Sequence, residues 1–142
     1  ENEINDSGVG VIGKMLGRLP QLRNLTLHLT SNPFQRPGVD ALAGGLGGLA
    51  GLTSLELRVR FVHVEDEGAQ ALAGVLPKLE SLEDLYMNLT ASHVTEDGKK
   101  LLEEACDELP KLSKDQRQIV LTRDNFGQYT SFAPNFRLQK SV

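Results

Sequence analysis

The chain has 142 residues, 39% of them hydrophobic and 24% charged, with a net charge of −4 and no Trp. That is one domain's worth of ordinary globular composition; the acidic balance argues against a nucleic-acid partner, and no apolar run approaches the roughly 20 residues of a membrane helix. The single Cys excludes an intramolecular disulfide and leans toward a reducing compartment, so an intracellular, most simply cytoplasmic, location is expected, with organelle import also compatible. The chain opens on Glu1 rather than Met, so a presequence or upstream segment is expected to precede it.

Taken in order, the elements repeat. Gly8, Gly38, Gly68 and Gly98 are each 30 residues apart. Ile12, Leu42, Leu72 and Leu102 keep the same register, as do Leu16, Leu46, Leu76 and Cys106, and then Leu19, Leu49, Leu79 and Leu109. Leu22, Leu52, Leu82 and Leu112 follow, with Leu25, Leu55 and Leu85 and then Leu27, Leu57 and Met87. Self-similarity at such a period is the mark of a solenoid. Residues 2–22 form the tail half of a unit: an apolar residue at Ile4, the register Gly8 and a helix running to Leu19. Its strand would lie before Glu1, which leaves the sheet edge at Leu25 to be covered by further repeats or by another chain.

From Leu25 onward each unit has two hydrophobic periods. Leu25-x-Leu27-x-Leu29, Leu55-x-Leu57-x-Val59 and Leu85-x-Met87-x-Leu89 alternate, as a strand with one buried face does. Val39, Leu42, Ala43, Leu46 and Leu49 show helical spacing. Phe34, Val64 and Val94 pin the loops between. One strand and one helix cannot bury an apolar face alone; stacking the units gives a parallel sheet lined by helices. The run Gly44-Gly45-Leu46-Gly47-Gly48 falls in a helix slot, where each Gly costs about 1 kcal/mol against Ala, so this helix is expected to be the softest.

The string Leu-x-x-Leu-x-Leu, followed by a loop, a Gly and a helix with Leu-x-x-x-Leu, resembles leucine-rich repeats of the ribonuclease-inhibitor-like class across about residues 2–112. The resemblance implies an α/β horseshoe that binds proteins. Relatives of this type inhibit nucleases or activate small GTPases, so regulation of an enzyme is the alternative function. The class places Asn or Cys three positions after the last strand Leu; here Thr30, Arg60 and Thr90 stand there, with Asn only at Asn2 and Asn32, so no continuous Asn ladder is expected.

The expected division is a solenoid over 1–112, then 113–142 as a final strand plus a C-terminal cap or tail. Ile119-Val120-Leu121 reads as that strand, four residues late. The tail carries Phe126, Tyr129, Phe132 and Phe136, which either fold over the last repeat or dock on another subunit. Its charge differs as well: residues 1–113 sum to −7 and residues 114–142 to +3.

Candidate chemistry is sparse. Residues 8–14, GVGVIGK, fit G-x-G-x-x-G, but no strand precedes them and no acidic residue stands about 20 positions on. His63 and His93 share a register, with Asp66, Glu67, Glu96 and Asp97 near, and read as solvated loop residues before they read as a metal site. Cys106 reads as a small buried hydrophobe. Asn24, Asn88 and Asn5 begin glycosylation patterns, two of them within strands, and read as chance. No nucleophile, base and orienting group come together, so a non-enzymatic protein without cofactor or metal is expected.

What remains is the exposed sheet face. Thr26, His28, Thr30, Glu56, Arg58, Arg60, Tyr86, Asn88 and Thr90 project from it as a grid of polar groups around an Arg pair and a Tyr. Arg and Tyr are over-represented among interface anchors. This face and the aromatic tail are the expected partner-binding sites. A competing patch is the acidic helix end at Glu80, Glu83, Glu103, Glu104, Asp107 and Glu108.

Overall fold

The computed structural model describes residues 3–121. Four helices and four strands alternate: α1 (Asp6–Leu16), β1 (Asn24–His28), α2 (Arg36–Leu46), β2 (Ser54–Arg58), α3 (Glu65–Val75), β3 (Asp84–Asn88), α4 (Glu96–Asp107) and β4 (Arg117–Val120). The strands make one parallel sheet in the order β1-β2-β3-β4. Leu25 pairs with Leu55, and Leu55 with Leu85, so the 30-residue period is the sheet register. The helices α2, α3 and α4 are the crossovers that successive parallel pairs require.

The core lies between sheet and helices. Leu55, Leu57, Leu85 and Met87 face helix-side Leu42, Leu46, Leu72, Leu76 and Cys106 in one continuous buried cluster. Phe34 and Val64 are buried beneath their loops, whereas Val94, in the last of these loops, is only half-buried. The final strand departs from expectation. Leu85 pairs with Arg117 rather than with Asp115, so β4 arrives two residues late, not four. A short 3₁₀ turn at Lys114–Gln116 absorbs the extra residues, and Ile119 fills the rung next to Met87.

The glycines of the Gly-rich helix are not equivalent in their surroundings. A Cβ on Gly45 would sit 2.2 Å from the Gly13 carbonyl oxygen, and one on Gly13 would sit 2.3 Å from that of Ala41. These two glycines let α1 and α2 touch backbone to backbone. Gly44 faces open space. Gly8–Lys14 lies wholly inside α1, so its glycines serve a helix interior rather than a strand-to-helix phosphate turn.

Among the described residues, no Asn ladder runs through the loops. Asn32 is buried and accepts from the Ile4 amide at 3.0 Å while donating to the Thr30 carbonyl. Aspartates tie the other junctions. Asp6 Oδ1 accepts from the amides of Gln35 and Gly38, each at 2.8 Å, which anchors the start of α2. Asp66 repeats the device two units further along the stack, accepting from the Thr95 amide at 2.7 Å and from its hydroxyl at 2.6 Å at the start of α4. Carboxylates at helix N-termini satisfy amides that the helix itself leaves unpaired.

Candidate functional site

Strand alternation places the odd-numbered Leu and Met positions of β1–β3 inward and the even-numbered positions outward, which builds the concave face. The outward side chains form a connected row across three strands. His28 Nε2 lies 2.9 Å from Glu56 Oε1. Arg58 donates from Nε to the same oxygen at 2.6 Å. The Arg58 guanidinium in turn lies 4.9 Å from the centroid of the Tyr86 ring. Asn88 Nδ2 donates to the Tyr86 hydroxyl at 3.1 Å, and Asn88 Oδ1 accepts from the Thr90 amide and hydroxyl.

This network sorts the nine sequence-derived residues. His28 and Thr26 are exposed, and Thr30, Glu56, Arg58, Arg60 and Tyr86 are half-buried, so all seven keep accessible surface on this face. Asn88 and Thr90 are buried; they hold the Tyr86 hydroxyl rather than present surface themselves. Asn88, committed to two neighbours, is not available for a sugar. The tail residues Phe126, Tyr129, Phe132 and Phe136 lie outside the described residues.

Burial of the Glu56 carboxylate works to raise its pKa, but hydrogen bonds from His28 and Arg58 and their positive charges outweigh it, and the group titrates below its ordinary value of 4.5. A carboxylate with a lowered folded pKa adds stability above its unfolded pKa, and that contribution is lost as pH falls through the folded value. Acidification from neutrality through the carboxylate range should therefore reduce the urea midpoint more steeply in the native protein than in Glu56→Gln. Equal slopes would show that the network adds nothing to stability.

The competing sites fare differently. In the acidic helix end, Glu103 pairs with Lys99 and Glu104 with Lys100, both at 3.8 Å, and Asp107 pairs with Arg117 at 2.7 Å. Half of that patch is thus internally compensated, and the Arg117 contact ties β4 to α4. The His63 and His93 rings stack with centroids 4.5 Å apart, as their shared register implies. Among the described residues, no third ligating side chain joins them. Cys106 is buried, and burial, with Arg117 opposing and Asp107 and Glu103 reinforcing, pushes its thiol to about 11. It is a core residue and a poor nucleophile.

Sequence reasoning marked the sheet edge at Leu25 as one to be covered but missed the helix flank of the same first unit, although the register itself marks it. Leu49 and Leu79 are fully buried, while their counterpart Leu19 is 46% exposed. Met15 is 59% exposed where Gly45 and Ala105 are buried, and Val11 on the same flank of α1 is also exposed. Leu22, Leu25 and Leu27 are half-buried where their counterparts in the next two units are buried. One flank of the first unit is therefore an apolar face cut to the shape of a repeat interface.

A leucine-rich repeat family model matches residues 21–43, which span β1 and most of α2. The same unit recurs through β2–α3 and β3–α4 in one parallel sheet, so the molecule is an α/β leucine-rich-repeat solenoid. No curated protein matches the chain.

Proposed function

We propose that the protein is a non-enzymatic interaction module whose concave face binds a protein partner. The carrying observation is the row His28–Glu56–Arg58–Tyr86–Asn88, which fixes an Arg and a Tyr in place across three strands. Side chains already immobilised lose little entropy on binding, and Arg and Tyr are the residues that most often dominate interface energies. The resemblance to the ribonuclease-inhibitor-like class points the same way and leaves regulation of an enzyme as a special case. An inhibitor of a basic enzyme would carry an acidic concave face, and here Glu56 is already neutralised by Arg58.

Crosslinking with mass spectrometry on the full chain, followed by affinity measurement with the partner identified, tests the proposal. Arg58→Glu with Tyr86→Ala should weaken binding by about 1,000-fold, the combined effect of two hot-spot losses of about 2 kcal/mol each. Unchanged affinity would eliminate the concave face.

A second reading, favoured by the exposed α1 flank, is that the solenoid stands in a larger assembly with this end covered. Ala41 and Gly45, which meet the preceding helix in the second unit, correspond to the exposed Val11 and Met15 in the first, and the counterparts of the exposed Leu19 are buried. The occupant would be another strand–helix unit, and the domain division at 112/113, with the tail as a cap or docking segment, belongs to the same proposal. Met15→Lys with Leu19→Glu should abolish association of that end while preserving the circular dichroism spectrum. Association that survives both changes would reject this reading.

A further inference from the structure

The loops after β1, β2 and β3 turn at one repeat position, and the residue there is left-handed each time: Ser31 at φ 57°, Phe61 at φ 56° and Ala91 at φ 52°. Two of the three are small. For a bulky aromatic this conformation is an outlier, and strain of that kind concentrates at functional positions. Phe61 gains no burial in exchange, since it is 53% exposed.

Its neighbour is equally unusual. Arg60 Nε is buried and has no hydrogen-bond partner among the described residues. Arg58, two positions earlier on the same stretch, gives the contrast: its Nε donates to Glu56. In the adjacent repeats the register partners of Arg60 are Thr30 and Thr90, so the neighbouring rungs offer hydroxyls where β2 offered Arg58 a carboxylate. The Arg60 guanidinium lies 5.3 Å from the centroid of the Phe61 ring, so cation and ring form one unit at the rim of the concave face. A cation partly withdrawn from water gains most from a carboxylate, which completes its hydrogen bonds as well as its charge.

We infer that Arg60 and Phe61 together are a docking point for an acidic segment of the protein partner. The guanidinium takes an Asp or Glu carboxylate, and the ring packs against the apolar side chain beside it. The inference rests on the interaction reading above and supplies the partner's chemistry.

The probe is a displayed library of random twelve-residue peptides selected on the full chain. Each selected peptide is then remade with Asn or Gln in place of Asp or Glu. Selected peptides should carry an acidic residue next to Leu, Ile or Phe, and the amide versions should bind at least about tenfold more weakly. Arg60→Ala and Phe61→Gly should each weaken binding by a similar factor. Phe61→Gly should also raise Tm by a few degrees, because glycine relieves the left-handed strain. Better folding combined with worse binding is a signature that a merely structural Phe would not give. Peptides without acidic residues, no selected peptides, undiminished binding by Phe61→Gly, or a lowered Tm in that variant would each overturn the inference. If acidic peptides bind but are lost only with Arg58→Glu and Tyr86→Ala, the concave face stands and the Arg60–Phe61 point falls.

Discussion

Gly45→Ala is expected to destabilise the protein by about 3 kcal/mol, while Gly44→Ala, one residue away, is expected to stabilise it by about 1 kcal/mol. Both changes add one methyl group to the same helix. At Gly45 that methyl would lie 2.2 Å from the Gly13 carbonyl oxygen, which is backbone and has no rotamer into which to retreat. The helices α1 and α2 would have to part, and the packing between the first two units would be lost with them. At Gly44 nothing lies within 4 Å, so only the helix propensity changes. Gly13→Ala should reproduce the Gly45 result from the other side, since its Cβ would meet the Ala41 carbonyl oxygen at 2.3 Å. Equilibrium denaturation of the three variants decides the matter. Similar effects at positions 44 and 45 would mean that the close helix approach is absent.

The second large effect is a graded one. Leu55→Ala and Leu85→Ala should each cost about 3–4 kcal/mol, the range for a fully buried leucine whose site cannot collapse, and Leu25→Ala about half as much. All three occupy the same rung of the sheet, and Leu55 and Leu85 are 1% and 0% exposed whereas Leu25 is half-buried. The gradient thus measures how much less the described residues cover the first rung than the next two. If the α1 flank is covered by another strand–helix unit in the native assembly, Leu25→Ala should approach the cost of the other two when measured in that assembly. Against a total stability of about 5–15 kcal/mol, each inner substitution is a large fraction.

Much of the architecture was legible because a repeat states its own register. The leucines at positions 25, 55 and 85 had to be neighbours once the period was seen, and the alternation around them told inward from outward. The concave row followed from the same alternation. Other features depend on single atoms that a period does not encode. Asp6 and Asp66 hold corresponding places two units apart, yet Arg36 stands at the intervening position and Glu96 at the next, so the tethers do not register as a repeat. Gly44 and Gly45 read alike in a sequence and differ only in what lies opposite them. The lateness of β4 turned on how many residues the 3₁₀ turn at Lys114–Gln116 would absorb, which hydrophobic spacing does not fix. The strain at Phe61 was invisible because a left-handed turn position is expected of Gly or Asn, not of Phe.

The central claim is that successive 30-residue units lend adjacent parallel strands to one sheet, and that the sheet's register is the sequence period. Scalar couplings across backbone hydrogen bonds, measured by NMR on the full chain, test it most directly. The structure requires coupling from the Leu29 amide nitrogen to the Arg58 carbonyl carbon, from Val59 to Asn88, and from Leu89 to Val120. The first two connect residues of equivalent units, and the third carries the two-residue slip into β4. Observation of all three would establish the stacked register; couplings to other partners, or none between these segments, would contradict it.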